Sequence, residues 1–209
     1  MCFSTSVSFS ASIALIAIGT AIIRKIQNKS FMPLAMIPFF FAVQQFAEGV
    51  VWLDVTSTLR AKNVFLFFAY VFWPIYIPFC FYVSENQQVK KQFICILWGV
   101  GLCLATALAF VIPSAMPVAN SGSIQYIVNP AFDLFSHAPT ILYVIATLGP
   151  IFLSSIPKMK IVGLLMTLAA VVTHYVNEIC FVSLWCFWAA LLSALLYFVL
   201  KNPKEKGSL

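Results

Sequence analysis

Charge is what this sequence has least of. Of 209 residues, 9% are Asp, Glu, Lys or Arg and 62% are hydrophobic, whereas soluble domains carry about 25% charged and 45–50% apolar residues. A water-soluble globule is excluded on that count. Disorder is excluded too, because disordered chains are poor in apolar residues. Histidine occurs only twice and acidic residues only six times. The six cysteines include no CxxC pair, which removes zinc-ribbon and thioredoxin-like spacings. No positive charge precedes Arg24, and a secretory signal needs such charge ahead of its apolar core. The first apolar segment is therefore expected to be a retained helix with its N-terminus translocated. A lipoprotein signal is excluded as well, since no apolar core precedes Cys2.

What is present is apolar sequence in helix-length runs, with a mean hydropathy of +0.99. Seven runs approach the roughly 20 residues that a spanning helix needs: 8–23, 32–53, 64–83, 93–112, 138–156, 161–176 and 181–200. The expected fold is all-α, a polytopic membrane bundle of seven transmembrane helices forming one domain over 1–209. Its connections are short and polar, apart from the nearly uncharged stretch 113–137, which holds Pro113, Pro117, Gly122 and Pro130. Asn129 followed by Pro130 offers an earlier start for the fifth helix, in which Pro139 would form a kink. Pro74 and Pro78 are expected to kink the third span and to free carbonyls that the bundle must re-satisfy.

Lys and Arg fall ten on one side of the alternating connections and two, Arg60 and Lys62, on the other. The richer side of such a split is cytoplasmic, so the N-terminus is expected outside and the C-terminus inside. The basic residues are spread over four loops and form no single basic face, which argues against nucleic acid as a partner. Membrane lipids are the expected partners. Homo-oligomerisation is compatible with the sequence without being specified by it. The layout is shared with retinal proteins, but 181–200 contains no Lys for a Schiff base, so retinal is excluded.

On this topology the scarce polar groups gather near the outer surface. Four of the six acidic residues (Glu48, Asp54, Asp133, Glu178) and both histidines, His137 and His174, fall there. Glu48 lies about 7–8 Å below the outer boundary at 1.5 Å per residue. An ionisable group at bilayer depth is costly and therefore has a partner or a function. Asp133/His137 and His174/Glu178 are each four apart and share a helix face, as do Gln44, Glu48 and Trp52, with Gln45 beside them. Imidazole with carboxylate suits a divalent transition metal such as Zn, Fe or Mn. The expected ligands are Glu48, His137, His174 and Glu178. Cys2, Gln44, Gln45, Asp133 and Asn177 support them, and Glu48 and Glu178 are the candidate catalytic acid–base groups. The competing reading is structural: both His–carboxylate pairs are also what mutually satisfied helix ends look like. Cys2 and Cys180 share the outer side and are candidates for a disulfide. If Met1 is removed, Cys2 also carries an amine and a thiol on one residue.

Two stretches carry a resemblance. The opening Met1-Cys2-Phe3-Ser4 and the second-span Gln44-Gln45-Phe46-Ala47-Glu48-Gly49-Val50-Val51-Trp52 resemble an uncharacterised family of small bacterial seven-span integral membrane proteins. That family opens Met-Cys-Phe-Ser and carries Gln-Gln-x-x-Glu-Gly-x-x-Trp. The resemblance implies a bacterial inner-membrane protein and singles out Cys2, Gln44, Gln45, Glu48 and Trp52, without an activity. A more distant likeness is to seven-span ceramidase-type hydrolases, in which membrane-embedded histidines hold zinc. This chain has His174-Tyr-Val-Asn-Glu178 where that pattern has two histidines. The functional expectation is an outward-facing, metal-binding polar site with metal-assisted lipid hydrolysis as its chemistry. The alternatives are a non-enzymatic carrier or sensor of an ion or small ligand, and a structural subunit of a membrane complex.

Overall fold

The computed structural model describes residues 4–55, 59–120, 122–128 and 137–200, and the side chains of His137, Ala138 and Glu178 fall outside that description. The chain is mostly helical. Helix α1 is Thr5–Ile23 and α2 is Met32–Leu53, entered through a 3-10 turn at Lys29–Phe31. The third apolar run is one continuous rod, built of α3 (Leu59–Leu66), a π-helical segment Phe67–Phe72 and α4 (Trp73–Ser84). Next come α5 (Gln88–Ala109), a hairpin of β1 (Met116–Asn120) and β2 (Ser123–Ile127), and α6 (His137–Leu153). Helices α7 (Met159–Asn177), α8 (Phe181–Ser193) and α9 (Leu196–Leu200) complete the bundle.

Six helical segments are long and apolar enough to cross a membrane, while α6 is apolar but shorter. This is a multi-pass membrane protein. The expected 113–137 connection is structured where it is described: an antiparallel hairpin pairs Met116 with Ile127 and Asn120 with Ser123, so the fold is not purely α. Gly122 takes φ 79° at its turn, a conformation that glycine adopts without a Cβ penalty. Asn129, Pro130 and Asp133 lie outside the described residues. Because α6 begins at His137, Pro139 sits in its first turn, where a missing N–H costs nothing.

Helices α1 and α2 pack along their whole length through small residues. Ser8, Ala11, Ser12 and Gly19 lie on the buried face of α1, and the Ser12 hydroxyl donates to the Ala42 carbonyl at 2.8 Å. Close approach through small side chains, with hydroxyls bridging helices, is how helices associate where lipid removes the hydrophobic drive.

The prolines of the third rod set its local geometry. Within the π segment the Trp73 N–H reaches Phe68 O, five residues back. The matching donor for Ala69 O would be Pro74, which has no N–H. Tyr143 on α6 takes that place, its hydroxyl donating to Ala69 O at 2.6 Å. Pro78 likewise supplies no N–H for Pro74 O, and α5 comes close to that carbonyl: a Cβ added to Gly101 would stand 1.9 Å from Pro74 O. The expected kink thus appears as a π segment whose stranded carbonyl a neighbouring helix satisfies.

At the far end of the bundle from the hairpin, buried Glu85 joins two connections. Its carboxylate accepts from the backbone N–H groups of Asn86 (3.0 Å), Gln87 (2.9 Å) and Ser155 (2.8 Å). Lys62, counted from sequence among the connecting residues, lies instead on α3 and is 2% exposed. Its ammonium donates to Ile112 O (3.1 Å) and Ala115 O (2.9 Å), fastening the stem of the hairpin.

The Gly101 contact makes a sharp contrast testable. Gly101→Ala should destabilise the bundle by about 1–3 kcal/mol, the usual cost of overpacking. Gly99→Ala, with nothing within 4 Å of the new methyl, should be neutral or slightly stabilising through helix propensity. Unfolding in mixed micelles measures both.

Candidate functional site

The second half of α2 carries Gln44, Gln45 and Glu48 on its buried side. Both glutamines are 0% exposed and Glu48 is 2% exposed. The spacing puts the three side chains on one helix face, as the sequence indicates. Partners from distant segments hold them. Trp73, at the start of α4, donates its indole N–H to Gln44 Oε1 at 2.8 Å. Gln45 Nε2 donates to Glu48 Oε2 at 3.3 Å. Ser183, in the first turn of α8, donates its hydroxyl to Glu48 Oε1. Both carboxylate oxygens are therefore engaged, and α2 is joined to α8 through the charge-bearing group.

The hairpin closes this cluster. Strand β2 packs against α8 and against the 3-10 turn Glu178–Cys180. Tyr126 on β2 is buried and stacks on Phe65 with ring centroids 5.1 Å apart. Burial above all, and then the proximity of Glu48, Tyr70 and Cys186, holds its phenol well above the ordinary value of 10.0. The group is a neutral hydroxyl at any physiological pH.

Among the described residues, buried atoms without a hydrogen-bond partner include Gln44 Nε2, Gln45 Oε1 and Tyr126 OH in this cluster, and Thr173 Oγ1 and Trp185 Nε1 elsewhere. A buried polar atom left without a hydrogen bond costs about 1–3 kcal/mol.

The whole chain can now be compared with known families. It belongs to DUF6629, a family of unknown function, whose model matches residues 1–208. Searches of curated proteins and of solved structures returned no match.

In this DUF6629 chain the remaining expected site residues are distributed as follows. His174 is exposed on α7, its ring near Tyr175 (5.8 Å) and Phe181 (6.4 Å). Asn177 accepts the Cys180 N–H at 3.2 Å and so closes the turn between α7 and α8. His137 opens α6 and Glu178 opens the 3-10 turn, with their side chains outside the described residues. Cys2 and Asp133 lie outside them entirely. Cys180 is a buried free thiol. Among the described residues no three of His, Cys, Asp and Glu gather as a metal would require. What surrounds the Glu48 carboxylate among the described residues is the Ser183 hydroxyl and the Gln45 amide, both hydrogen-bonded to it, with the Tyr126 hydroxyl and the Cys186 thiol in electrostatic reach.

Sequence reading did not single out Ser183, Trp73 or Tyr126. Ser183 is the polar residue in the first turn of a largely apolar helix, and that position is the one signal that pointed to it.

Two outcomes follow. Ser183→Ala strands a buried carboxylate oxygen and should cost about 1–3 kcal/mol, with Ser183→Thr recovering part of it. Tyr126→Phe removes a hydroxyl without a partner, so in cation-free buffer at neutral pH it should cost little. The folded state holds the Tyr126 proton to higher pH than the unfolded state does, so this phenol's contribution is complete below about pH 10 and is lost above it. The alkaline fall in stability should accordingly be shallower in Tyr126→Phe, as followed by thermal melts across pH.

Proposed function

We propose that this chain is a seven-span protein of the bacterial inner membrane, N-terminus outside, which binds a small hard cation at the Glu48 cluster without catalysing a reaction. Its role is that of a carrier or sensor. The observation that carries the reading is the unpartnered, buried Gln45 carbonyl oxygen, on the same amide whose Nε2 donates to the Glu48 carboxylate. The Glu48 carboxylate, the Gln45 amide carbonyl and the Ser183 and Tyr126 hydroxyls offer an oxygen donor set. Hard cations such as sodium, magnesium or calcium prefer such a set, whereas zinc and iron favour nitrogen and sulfur. Binding exchanges the Ser183 and Gln45 hydrogen bonds to Glu48 for ion contacts and gives the Gln45 carbonyl a partner. The seven-span count takes α6 as a full span, and the orientation follows from the ten-to-two distribution of Lys and Arg.

A second reading, a metal-dependent lipid hydrolase using Glu48, His137, His174 and Glu178, is favoured by one observation. The hairpin that covers Glu48 through Tyr126 also packs on the turn carrying Glu178.

Thermal unfolding in detergent separates the two. Sodium, potassium, magnesium, calcium and zinc chlorides are compared at matched ionic strength. Saturation at about 100 times Kd stabilises by about 2.7 kcal/mol, so one of the hard cations should raise Tm by several degrees. Glu48→Gln should abolish the rise and Tyr126→Phe should reduce it. No rise with any hard cation, or an undiminished rise in Glu48→Gln, overturns the proposal. A stoichiometric transition metal lost in both Glu48→Gln and His174→Ala replaces it with the second reading. A reporter fused after Leu209 should be active only on the cytoplasmic side, and periplasmic activity overturns the orientation.

A further inference from the structure

The end of the bundle that carries Glu85 gathers positive charge at one corner. Helices α5 and α7 both begin there, with Lys90 and Lys91 at the start of α5 and Lys158 and Lys160 flanking the start of α7. The two starts are tied together: Glu85 accepts from Gln87 N and Ser155 N, and the Lys90 ammonium donates to Ser155 Oγ at 2.8 Å. Neither helix has an acidic residue in its first turn, although the positive end of the helix dipole favours acids there and disfavours lysines. Among the described residues Glu85 is the acid of this end, and its carboxylate is taken up by backbone N–H groups. Four lysines against one carboxylate leave the corner strongly positive. Lys158 is exposed and, among the described residues, is the non-glycine residue with positive φ, at 65°. Glycine would take that conformation without strain, so the lysine side chain, not the backbone, gives this position its use.

We propose that this corner binds the phosphate headgroup of an anionic phospholipid through Lys91, Lys158 and Lys160, with Lys90 holding the two connections together. The charge selects an anion. The surroundings select a lipid over a free phosphate: around and below the lysines, α5 exposes Val89 (65%) and Phe93 (55%), and α7 exposes Ile161 (57%) and Leu164 (63%). In a multi-pass membrane protein acyl chains cover such residues, and a headgroup then lies level with the lysines. Lys91 marks that level, its ammonium 4.6 Å from the centre of the Tyr82 ring, because aromatic rings and long cationic side chains settle at the membrane–water boundary. The phosphodiester supplies the counter-charge that the corner itself lacks. Binding here is independent of what occupies the Glu48 cluster and of the orientation of the bundle.

The full chain in detergent micelles doped with equal amounts of dioleoylphosphatidylglycerol and dioleoylphosphatidylcholine makes the test. The protein is re-isolated and the two lipids that remain on it are quantified by mass spectrometry of the extract. Phosphatidylglycerol should be retained at least about tenfold over phosphatidylcholine, since each lysine near an anionic headgroup favours it about fivefold. Lys91→Gln/Lys158→Gln/Lys160→Gln should bring the ratio close to parity. Arg24→Gln/Lys25→Gln/Lys29→Gln removes as much charge beyond the end of α1 and should leave most of the preference in place. Lys158→Gly relieves the positive φ, so it should melt no lower than the parent chain in phosphatidylcholine micelles while losing about fivefold in preference. That split keeps the test decisive should the triple variant fail to elute as a folded species. Sodium phosphate in place of sodium chloride at matched ionic strength should not displace the lipid. Equal retention of the two lipids, equal losses in the two triple variants, an unchanged preference in Lys158→Gly, or displacement by inorganic phosphate overturns the proposal.

Discussion

A carboxyl group inside an apolar bundle has to be held by the chain itself, because hydrocarbon offers no water to partner it. Glu48 is held by Ser183 from α8 and by Gln45 from its own helix, and much of the hairpin end of the molecule is arranged around that pairing. The α2–α8 contact places Ser183. The turn closed by Asn177 starts α8 at the depth where Ser183 meets Glu48. The hairpin then covers the group, its stem fixed by Lys62 and its Tyr126 set beside the carboxylate. Each of these elements would be unremarkable alone. Together they keep an acidic residue out of both water and lipid.

The same rule explains the prolines. A helix that loses a backbone donor in lipid cannot borrow one from solvent, so another part of the protein must supply it. At Ala69 the replacement is a tyrosine hydroxyl from α6. At Pro74 the freed carbonyl faces a glycine, which lets α5 approach closely. The irregular third rod is therefore a packing device as much as a kink, and it places Trp73 where its indole reaches Gln44.

What the sequence disclosed was whatever depends on residues close together in the chain. Hydropathy located the helices, although the third and fourth begin earlier than expected, at Leu59 and Gln88, and the spacing of Gln44, Gln45 and Glu48 placed three residues on one face. The partners were hidden because they arrive from far away: Ser183 is 135 positions from Glu48, and Trp73 is 29 from Gln44. A serine at the head of an apolar helix and a tryptophan in a span both have ordinary roles that read identically in sequence. Lys62 was hidden for a different reason. Its charge counts as a connecting residue by hydropathy, yet its long stem carries the ammonium to two carbonyls within the fold. The hairpin escaped because Pro and Gly mark turns without saying which strands flank them.

The two buried acids that the structure describes in detail show what separates a scaffold group from a candidate site. Glu85 accepts three backbone N–H bonds from two connections, and its neighbours Ser84 and Lys90 are themselves paired, with Cys80 O and Ser155. Every group there has a structural reason to be present. Glu48 is as deeply buried, but its partners are side chains, and buried atoms of Gln44, Gln45 and Tyr126 stand without partners around it. A fold selected only for stability would replace those groups with apolar ones of similar shape, at little or no cost. Their presence around Glu48, against the satisfied described groups around Glu85, is the physical reason for proposing ligand binding at Glu48.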